Sequence, residues 1–448
     1  MKGAILAIAA LLLHTIQTVS AAEATAVDLT TLEGVVRHTL STNPVVLGRR
    51  DARRAADEGR TQAFAGYLPT LDLTIGLGRE RTDDPSTRLA GDGDVYLDRE
   101  EANLTLSQML FDGFRTRSEV ARSEALIASA ATGFANTAED NAMRATEAFL
   151  EVLRRREIVD ITERNVATHR DILEKIRARS GGGAGNKADV QQTLGRLALA
   201  ESRLSRARRD VRNAEANFER VVGPPPGRLV RPEPPRARLP EDRAATLRRA
   251  NEEHPRIETA LAELEAARAT RDATRSAFFP RVDLELSVNE NEDIDGVEGD
   301  NNDTRLMAVA RYNLYRGGAD AARHRQAAHD ISRAMNRVAD ERRVTAEEVN
   351  LEWNAWDTSR ERIPFLLSHV EASEQVLQAY LEQFNIGQRT LLDVLDSENE
   401  LLSARVSYIT GLYTEMLGVY RVLRALGGLA PGLGIDLPEG TRYSARVE

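Results

Sequence analysis

The chain has 448 residues and carries 60 Lys and Arg against 70 Asp and Glu, a formal net charge of −10. This acidic balance gives no support to nucleic-acid binding. The chain contains no Cys, which excludes disulfides, thiolate metal sites and an N-terminal lipid attached to Cys. Aromatic residues make up 5% and charged residues 29%, a composition that favours long helices over a compact enzyme core.

The first 22 residues have the pattern of an export signal. Lys2 gives a positive start, an apolar run follows at 4–13, and small residues at 19–22 form a cleavage site. The alternative is a short membrane anchor, although the run is too short to span a bilayer. Residues 1–22 are therefore predicted to be a signal peptide that directs export.

Two strands are predicted early in the mature chain, at about 67–81 and 97–110. In the first, apolar residues at 71, 73, 75 and 77 alternate with polar residues or Gly. A period of two with one apolar face fits a strand between lipid and water, with the edge of a soluble sandwich as the alternative. The polar stretch 82–94 is predicted to be the loop between the two strands.

A very long helix follows at about 115–180, because this segment is rich in Ala, Glu, Arg and Leu and has no Pro. At 1.5 Å per residue it would reach roughly 100 Å. The Gly-rich stretch 181–185 ends it, and a returning helix is predicted at about 188–222. The first half of the chain, residues 23–223, ends there, and a Pro-rich equatorial linker follows at 224–241.

The second half, residues 242–428, has the same order of elements. A helix at about 255–278 leads into strands at about 280–289 and 304–315, which a polar loop at 289–303 connects. A long helix at about 317–386 and a returning helix at about 390–426 follow, with a kink expected at Pro364. Residues 429–448 form a C-terminal tail.

The two halves are copies of one unit. Pro44 recurs as Pro255 at an offset of about 211 positions, and Gly113 recurs as Gly317 at an offset of about 204. The second offset is kept to the end of the returning helix, so the length difference falls around the polar loops. This pattern is expected if the long helices pack side by side in register, because loops tolerate insertions and packed helices do not.

Four strands are too few to close a barrel, for which about eight are the working minimum, and unpaired strand edges are not tolerated in lipid. Three chains of four strands would make twelve. A dimer with eight strands is the alternative, but it leaves little lumen. The predicted fold is mainly α with a transmembrane β portion: a homotrimeric 12-stranded β-barrel continued by a long α-helical barrel in the periplasm.

Three segments carry a resemblance to a known family. They are LSQMLFDG at 106–113, YNLYRGG at 312–318 and GQRTLLDVLD at 387–396. Together they resemble the TolC family of outer-membrane channels, over about 31–428. The resemblance implies a homotrimer in the outer membrane of a Gram-negative bacterium, which docks onto a periplasmic adaptor protein and an inner-membrane ABC or proton-driven transporter.

Two acidic residues at the start of the last long helix form the candidate pore site. Asp393 and Asp396 lie three positions apart, so their carboxylates share a helix face near the positive end of the helix dipole. Three chains would place six carboxylates around one constriction, which favours cations and attracts divalent ions. The resemblance implies a selectivity ring at the periplasmic entrance; ordinary charge at a helix N-terminus is the alternative.

The resemblance also implies a gate at this tip, formed by Arg389, Asp189 and Phe384. Arg389 precedes the acidic pair and Asp189 opens the matching helix of the first copy; in the family pattern such residues link neighbouring helix pairs. Phe384 stands where the pattern can have Tyr, so one gate hydrogen bond is in doubt. Because an exposed ion pair contributes only about 0–1 kcal/mol, a gate needs three copies. Charge compensation at the end of the preceding helix is the alternative role for Arg389.

Aromatic residues mark the predicted strand–helix junctions. They fit an aromatic belt at the periplasmic side of the bilayer, where they would contact outer-membrane lipid, with packing inside the junction as an alternative. The five residues are Tyr67, Phe111, Phe278, Phe279 and Tyr315.

No pattern in the chain points to catalysis, a cofactor or a metal. The Gly-rich stretch lacks the Lys and Ser/Thr of a phosphate loop, and His324 and His329 are spaced for different helix faces. No enzyme activity is expected. The predicted function is passive exit of proteins in type I secretion; an outer-membrane component of multidrug efflux is the alternative, and a periplasmic coiled-coil spacer is a remote one.

Overall fold

A computed structural model describes residues 28–91, 93–182 and 186–443 of the chain. The predicted signal peptide lies outside these described residues, as do the Gly-rich residues 183–185. Helix is the dominant secondary structure. Across the described residues, no helix combines the length and the hydrophobicity that crossing a membrane requires.

The first half of the chain folds as a helix pair, a strand pair and a long helical hairpin. Pro44 occupies the first turn of its helix, where no hydrogen-bond donor is needed, and the Oδ1 of Asn43 accepts from the N–H of Val45 at 2.9 Å. In chain order the elements are α1 (Leu32–Thr42), α2 (Pro44–Phe64), β1 (Thr70–Thr82), α3 (Pro85–Ala90), β2 (Val95–Phe111), α4 (Arg115–Gly181) and α5 (Lys187–Val222).

The second half follows the same plan. Its elements are α6 (Arg243–Glu253), α7 (Pro255–Thr274), β3 (Arg281–Ile294), β4 (Val297–Asp300), β5 (Asp303–Arg311), α8 (Ala319–Asn385), α9 (Leu391–Ala425) and α10 (Leu429–Gly432). The long helices α4 and α8 each contain 67 residues, about 100 Å of helix. The starts of α4 and α8 lie 204 positions apart, and so do their ends. Helix α8 continues through Pro364 without a break, and a kink there stays a prediction.

The strands differ from their predicted bounds at three places. β1 begins at Thr70 rather than 67, because residues 65–67 form a 3-10 turn and Pro69 has no N–H for the ladder. Most of the predicted loop 289–303 is strand, since β3 continues to Ile294 and a tight turn at 295–296 leads into β4. The last strand, β5, ends at Arg311 rather than at 315.

The strands form one antiparallel sheet in the order β1, β2, β3 and then β5. β5 pairs with β3 over Arg281 to Asn289, and β4 pairs with β3 further on, at Glu292 and Ile294. β4 and β5 therefore act as two parts of one fourth strand. Within the described residues β1 pairs only with β2 and β5 only with β3, so both edges of the sheet are open.

The two faces of this sheet differ in chemistry. Residues that are paired across neighbouring strands point to the same face. Four apolar side chains of β1, at 71, 73, 75 and 77, are 54–76% exposed on one face. One row across that face is Leu71, Leu106, Leu286 and Leu306, and the adjacent row on the other face is Asp72, Thr105, Ser287 and Arg305. The alternation therefore gives one apolar and one polar surface.

The main hydrophobic core lies near the middle of the long helices, where α1, α4, α9 and α10 meet. Its largest fully buried side chains include Tyr420, Phe134 and Phe149. The Pro-rich linker contributes the buried Leu229, and the linker residue Arg236 donates from Nε to Glu415 Oε1 of α9 at 3.0 Å. The linker is thus attached to the helices rather than free of them.

The predicted C-terminal tail is part of this core over its described residues. Leu429 and Ala430 at the start of α10 have no exposed surface. Their N–H groups donate to the carboxylate of Glu139 in α4, at 2.7 Å to Oε2 and 3.2 Å to Oε1. Burial of Glu139 raises its pKa to about 7, against the effect of these hydrogen bonds, which favour the charged form.

The buried Glu139 predicts a stability that falls as the pH rises. A carboxyl group whose pKa is near 7 in the folded state and about 4.3 in the unfolded chain binds more protons when folded. Its contribution to stability is complete below about pH 4 and is lost as the pH rises through about 7. Melting of the purified protein should therefore occur at a lower temperature at pH 8 than at pH 5.5. Glu139→Gln should reduce this difference, and Glu174→Gln, an exposed change on the same helix, should keep it; an undiminished difference in Glu139→Gln would contradict the assignment.

Candidate functional site

The turn between α8 and α9 brings the predicted pore and gate residues of the second copy together. Gly387 has a φ of 79°, its N–H donates to Phe384 O at 3.1 Å, and the N–H of Gln388 donates to Gln383 O at 2.8 Å. This Schellman-type ending uses the left-handed conformation that only Gly adopts without strain. Three further residues lead into α9. The glycine therefore determines where the chain reverses.

Asp393 caps the start of α9. Its Oδ2 accepts from the hydroxyl of Thr390 at 2.8 Å and from the N–H of Thr390 at 3.3 Å, and its own N–H donates to Thr390 Oγ1 at 3.3 Å. This reciprocal capping box satisfies N–H groups that have no partner at a helix start. The hydrogen bond from the Thr390 side chain holds the pKa of Asp393 below its usual value, so the carboxylate stays charged.

Asp396 contacts the neighbouring returning helix instead. Its Oδ1 accepts from Arg196 Nη2 of α5 at 2.8 Å, and one turn further Asn399 Oδ1 accepts from Arg203 Nη1 at 2.7 Å. The Asp396 side chain is 56% exposed, so the ion pair contributes about 0–1 kcal/mol. Within one chain the predicted acidic pair is therefore divided: Asp393 serves the helix cap, and Asp396 serves a contact between α9 and α5.

Arg389 lies against the end of α8. Its Nε donates to Gln383 Oε1 at 2.8 Å, and its guanidinium carbon is 4.3 Å from the ring centre of Tyr380. Asp393 Oδ2 is 3.9 Å from Arg389 Nη1. A cation over an exposed aromatic ring contributes about 0.5–1 kcal/mol. Together these contacts hold Arg389 beside Asp393.

Phe384 joins the two helical hairpins at their tips. The guanidinium carbon of Arg179, in the last turn of α4, lies 4.6 Å from the centre of the Phe384 ring. This contact uses the face of the ring and needs no hydroxyl group. The absence of a tyrosine hydroxyl at this position therefore leaves a cross-hairpin contact intact.

Asp189 lies in the first turn of α5, behind the N-cap Asn186, whose Oδ1 accepts from the N–H of Ala188 at 3.0 Å. Among the described residues the Asp189 carboxylate forms no ion pair, with Arg389 or with any other residue. The structure thus does not bring Asp189 and Arg389 together within one chain. Their pairing stays a prediction for contacts between chains.

A buried polar contact behind the tip was not predicted from the sequence. Asn165 Nδ2 of α4 donates to Glu398 Oε1 of α9 at 2.9 Å, and His169 Nδ1 lies 2.9 Å from Asn165 O. All three side chains are at most 5% exposed. Burial raises the pKa of Glu398 and lowers that of His169. A hydrogen bond in this apolar surrounding fixes the register of α9 against α4, because sliding would leave buried polar groups without partners.

Two of the predicted rim aromatics meet at the junction between β2 and α4. The ring centre of Phe111 is 6.4 Å from that of Phe279 and 5.5 Å from that of Phe114, in edge-to-face arrangements. Phe114 was not selected from the sequence. Both Gly113 and Phe114 have left-handed backbones, with φ of 68° and 66°. For Phe this conformation costs about 1–2 kcal/mol.

The other three rim aromatics lie apart from this cluster. Tyr67 packs edge-on against Phe64 at 5.6 Å, and Phe278 packs against the His324 ring at 6.2 Å. Tyr315 is 82% exposed, just before α8. All lie at strand–helix junctions, where the sequence placed them, and their contact with lipid stays a prediction.

Known proteins are similar to this chain over nearly its whole length. The family model described as outer membrane efflux protein matches residues 35–224 and 246–428. The chain is 27% identical over 411 residues to the outer membrane efflux protein BepC of Brucella suis, covering 91% of this chain and 88% of BepC. It is 24% identical over 389 residues to the alkaline protease secretion protein AprF of Pseudomonas aeruginosa, covering 83% and 80%. The crystal structure of the CmeC outer membrane channel of Campylobacter jejuni has a TM-score of 0.77 at 16% identity, covering 92% of this chain and 87% of CmeC.

Removal of the capping hydroxyl tests the role of Thr390. We expect Thr390→Ala to destabilise the first turn of α9 by roughly 1 kcal/mol, which corresponds to about fivefold faster hydrogen exchange of the backbone around Asp393. Exchange measured by mass spectrometry on the purified protein would detect this change. The control is Thr414→Ala in the same helix, where an exposed hydroxyl donates only to Thr410 O at 2.7 Å. Equal exchange at the tip in the two variants would show that the cap is not stabilising.

Proposed function

Because the chain belongs to the outer membrane efflux protein family, we propose that three copies form a passive channel from an inner-membrane transporter to the cell exterior. The protein is located in the outer membrane, with its helical part in the periplasm. Members of this family are channels rather than enzymes.

The observation that carries the proposal is the sheet, with one apolar face and two open edges. β1, β2 and β3 contain 13, 17 and 14 residues, whereas a tilted strand needs about 9–11 to cross the hydrocarbon core. The exposed leucines on one face match a lipid environment, and the polar rows on the other match a water-filled lumen. A soluble spacer would gain nothing from exposing this apolar surface.

The open edges support closure by three copies. Within the described residues one chain supplies four strand positions, fewer than the roughly eight that a closed barrel needs. Three copies would give a twelve-stranded barrel with no open edge, and the attached hairpins would continue it as a helical tunnel into the periplasm. A periplasmic adaptor protein and an inner-membrane ABC or proton-driven transporter would deliver the substrate to its tip.

Type I protein secretion is the route we favour, with small-molecule efflux as the second candidate. The tip segment at 387–396 resembles that of secretion channels, and AprF is named as a secretion protein. The match to BepC, which is named as an efflux protein, has the higher identity and coverage, and this supports the second candidate.

Deletion of the gene in its own host would separate the two routes. Under type I secretion we expect a large protein to disappear from the culture medium, without greater sensitivity to dyes or detergents. Sensitivity without loss of a secreted protein would favour efflux instead. If neither phenotype appears, the channel proposal fails.

For the tip, we propose that Asp393 and Asp396 of three chains surround the periplasmic entrance, with Arg389, Asp189 and Phe384 as gate residues. Asp393 stays charged, and the Asp396 side chain is 56% exposed although it pairs with Arg196, so both carboxylates stay accessible to cations. The guanidinium group of Arg179 on the Phe384 ring would help to hold the two tips together, and the Tyr380 ring would keep Arg389 in place at the turn.

Neutralisation of the acidic pair tests the ring. Asp393→Asn combined with Asp396→Asn should lower the cation preference in single-channel recordings, because the substitutions remove six negative charges from the constriction of three chains. Glu371→Gln combined with Glu374→Gln removes the same charge from α8, away from the turn, and should alter the preference less. Unchanged selectivity in the first variant would contradict the ring.

A further inference from the structure

A cavity of about 540 Å³ lies at the junction of β2, α4 and α7. Two aromatic side chains and three arginines line it: Phe114, Phe279, Arg117, Arg268 and Arg275. Neither the proposed conduction path nor the tip makes use of this cavity. It is open on one side, so a ligand can enter from the surface of the molecule.

The cavity lies beneath the apolar face of the sheet. Phe111 pairs with Val282, whose neighbours along β3 on that face are Leu284 and Leu286. The Phe111 ring contacts those of Phe114 and Phe279. The aromatic wall of the cavity therefore continues the surface that would face lipid.

A second cavity at the same height, about 610 Å³, lies beneath the polar face. It is lined by Arg281 and Arg311, whose guanidinium groups contact Asp283. Asp283 and Glu285 occupy the polar side of β3. The two cavities share Phe279 as a lining residue, but only the second is lined by Arg281 and Arg311, which contact Asp283 on the polar side of β3.

The first cavity has an excess of positive charge. Its two carboxylates already have partners: Glu265 accepts from Arg268 Nη1 at 2.6 Å, and Asp272 pairs with Arg271 Nη2 at 2.6 Å. Within the described part of the chain, Arg117 and Arg275 form no ion pair. Two guanidinium groups therefore remain for an anionic ligand.

The internal repeat shows that the fold does not require these side chains. At the offset of 204 positions, Gly318 corresponds to Phe114 and Ala321 to Arg117. Gly318 makes the same left-handed turn with a φ of 80°, without strain. The first copy instead holds an aromatic ring in a conformation that L-residues avoid, and places a cation three residues later. The second copy thus builds the junction without either group.

We propose that this cavity binds the phosphate of a phospholipid headgroup in the periplasmic leaflet of the outer membrane. Arg117 and Arg275 contact the phosphate, and Phe114 and Phe279 pack against the glycerol and the first carbons of the chains. Guanidinium groups bind phosphate oxygens in bidentate fashion, and aromatic rings favour the bilayer interface. The inference rests on the proposed function, because it requires the sheet to lie in the outer membrane.

Lipid binding to the intact channel tests this site. The purified full-length protein is stripped of lipid in detergent and titrated with phosphatidylglycerol, and native mass spectrometry counts the lipids bound per chain. We expect Arg117→Ala combined with Arg275→Ala to weaken binding at least tenfold. Phe114→Gly, which copies the second half of the chain, should also weaken it while the protein still folds.

The control removes two charges from the second cavity. Arg316→Ala combined with Arg323→Ala alters the cavity beneath the polar face and should leave lipid binding unchanged. Equal loss of lipid binding in both double variants would show general charge attraction and overturn the proposal. Lipid binding as strong as that of the wild type in the Arg117→Ala, Arg275→Ala variant would also overturn it.

Inorganic phosphate separates a lipid site from a free-anion site. At millimolar concentration it should not displace the lipid, because it makes no contact with the aromatic wall; displacement would overturn the lipid assignment. The lipid-binding assay does not depend on transport. The conductance of the wild-type protein is therefore recorded separately in planar bilayers. Wild-type conductance together with no selective lipid binding would reject this site alone, whereas absence of conductance would reject the channel.

Discussion

The backbone N–H and C=O groups that have no strand partner at the two edges of the sheet constrain the rest of the molecule. Within the described residues β1 and β5 each have one strand partner, and the apolar side chains of β1 are 54–76% exposed. An unpaired N–H or C=O in hydrocarbon costs several kcal/mol, and an open edge in water attracts other strands. Pairing β5 of one copy with β1 of the next removes both penalties, but only if copies continue around a closed ring.

The proposed ring closure would also explain why the two long helices are equal in length. Each sheet carries two helical hairpins, and hairpins from neighbouring copies can pack side by side only if their turns lie at the same height. The 67 residues of both α4 and α8 meet this condition. Within one chain, the two hairpins are kept in register by the buried Asn165–Glu398 hydrogen bond and the Arg196–Asp396 ion pair. Loops at the other end of the sheet are free to differ, and α3 occurs only in the first copy.

Local patterns were sufficient to predict the long elements from the sequence. Alternation of apolar residues located β1, and the absence of Pro together with the Gly-rich stretch located α4. β4 was missed because residues 289–303 are almost entirely polar, so no apolar period marks a strand that pairs through its backbone alone. The packing of α10 was missed for a different reason: its partner, Glu139, is about 290 residues away and looks like any other charged helix residue.

The candidate site could be predicted only in part, because sequence patterns indicate contacts between residues that are close along the chain and not contacts between distant helices. Asp393 and Arg389 follow from short-range order, since an acidic pair at a helix start, with an arginine before it, can be read directly from GQRTLLDVLD. Arg196 and Arg179 could not be found, because their partners Asp396 and Phe384 lie on other helices, about 200 positions along the chain. Phe114 was overlooked because its left-handed backbone is visible only in the structure.

Cross-linking of the two sheet edges in whole cells tests whether three copies close the barrel. The chain contains no Cys, so Leu73→Cys on β1 and Leu306→Cys on β5 would be the only thiols. Within one chain these edges are three strand spacings apart, about 14 Å, whereas edges of neighbouring copies would lie side by side. A short bismaleimide should therefore produce a covalent species of three chains in the outer membrane and nothing larger. Products that stop at two chains, extend beyond three, or fail to form would contradict closure by three copies.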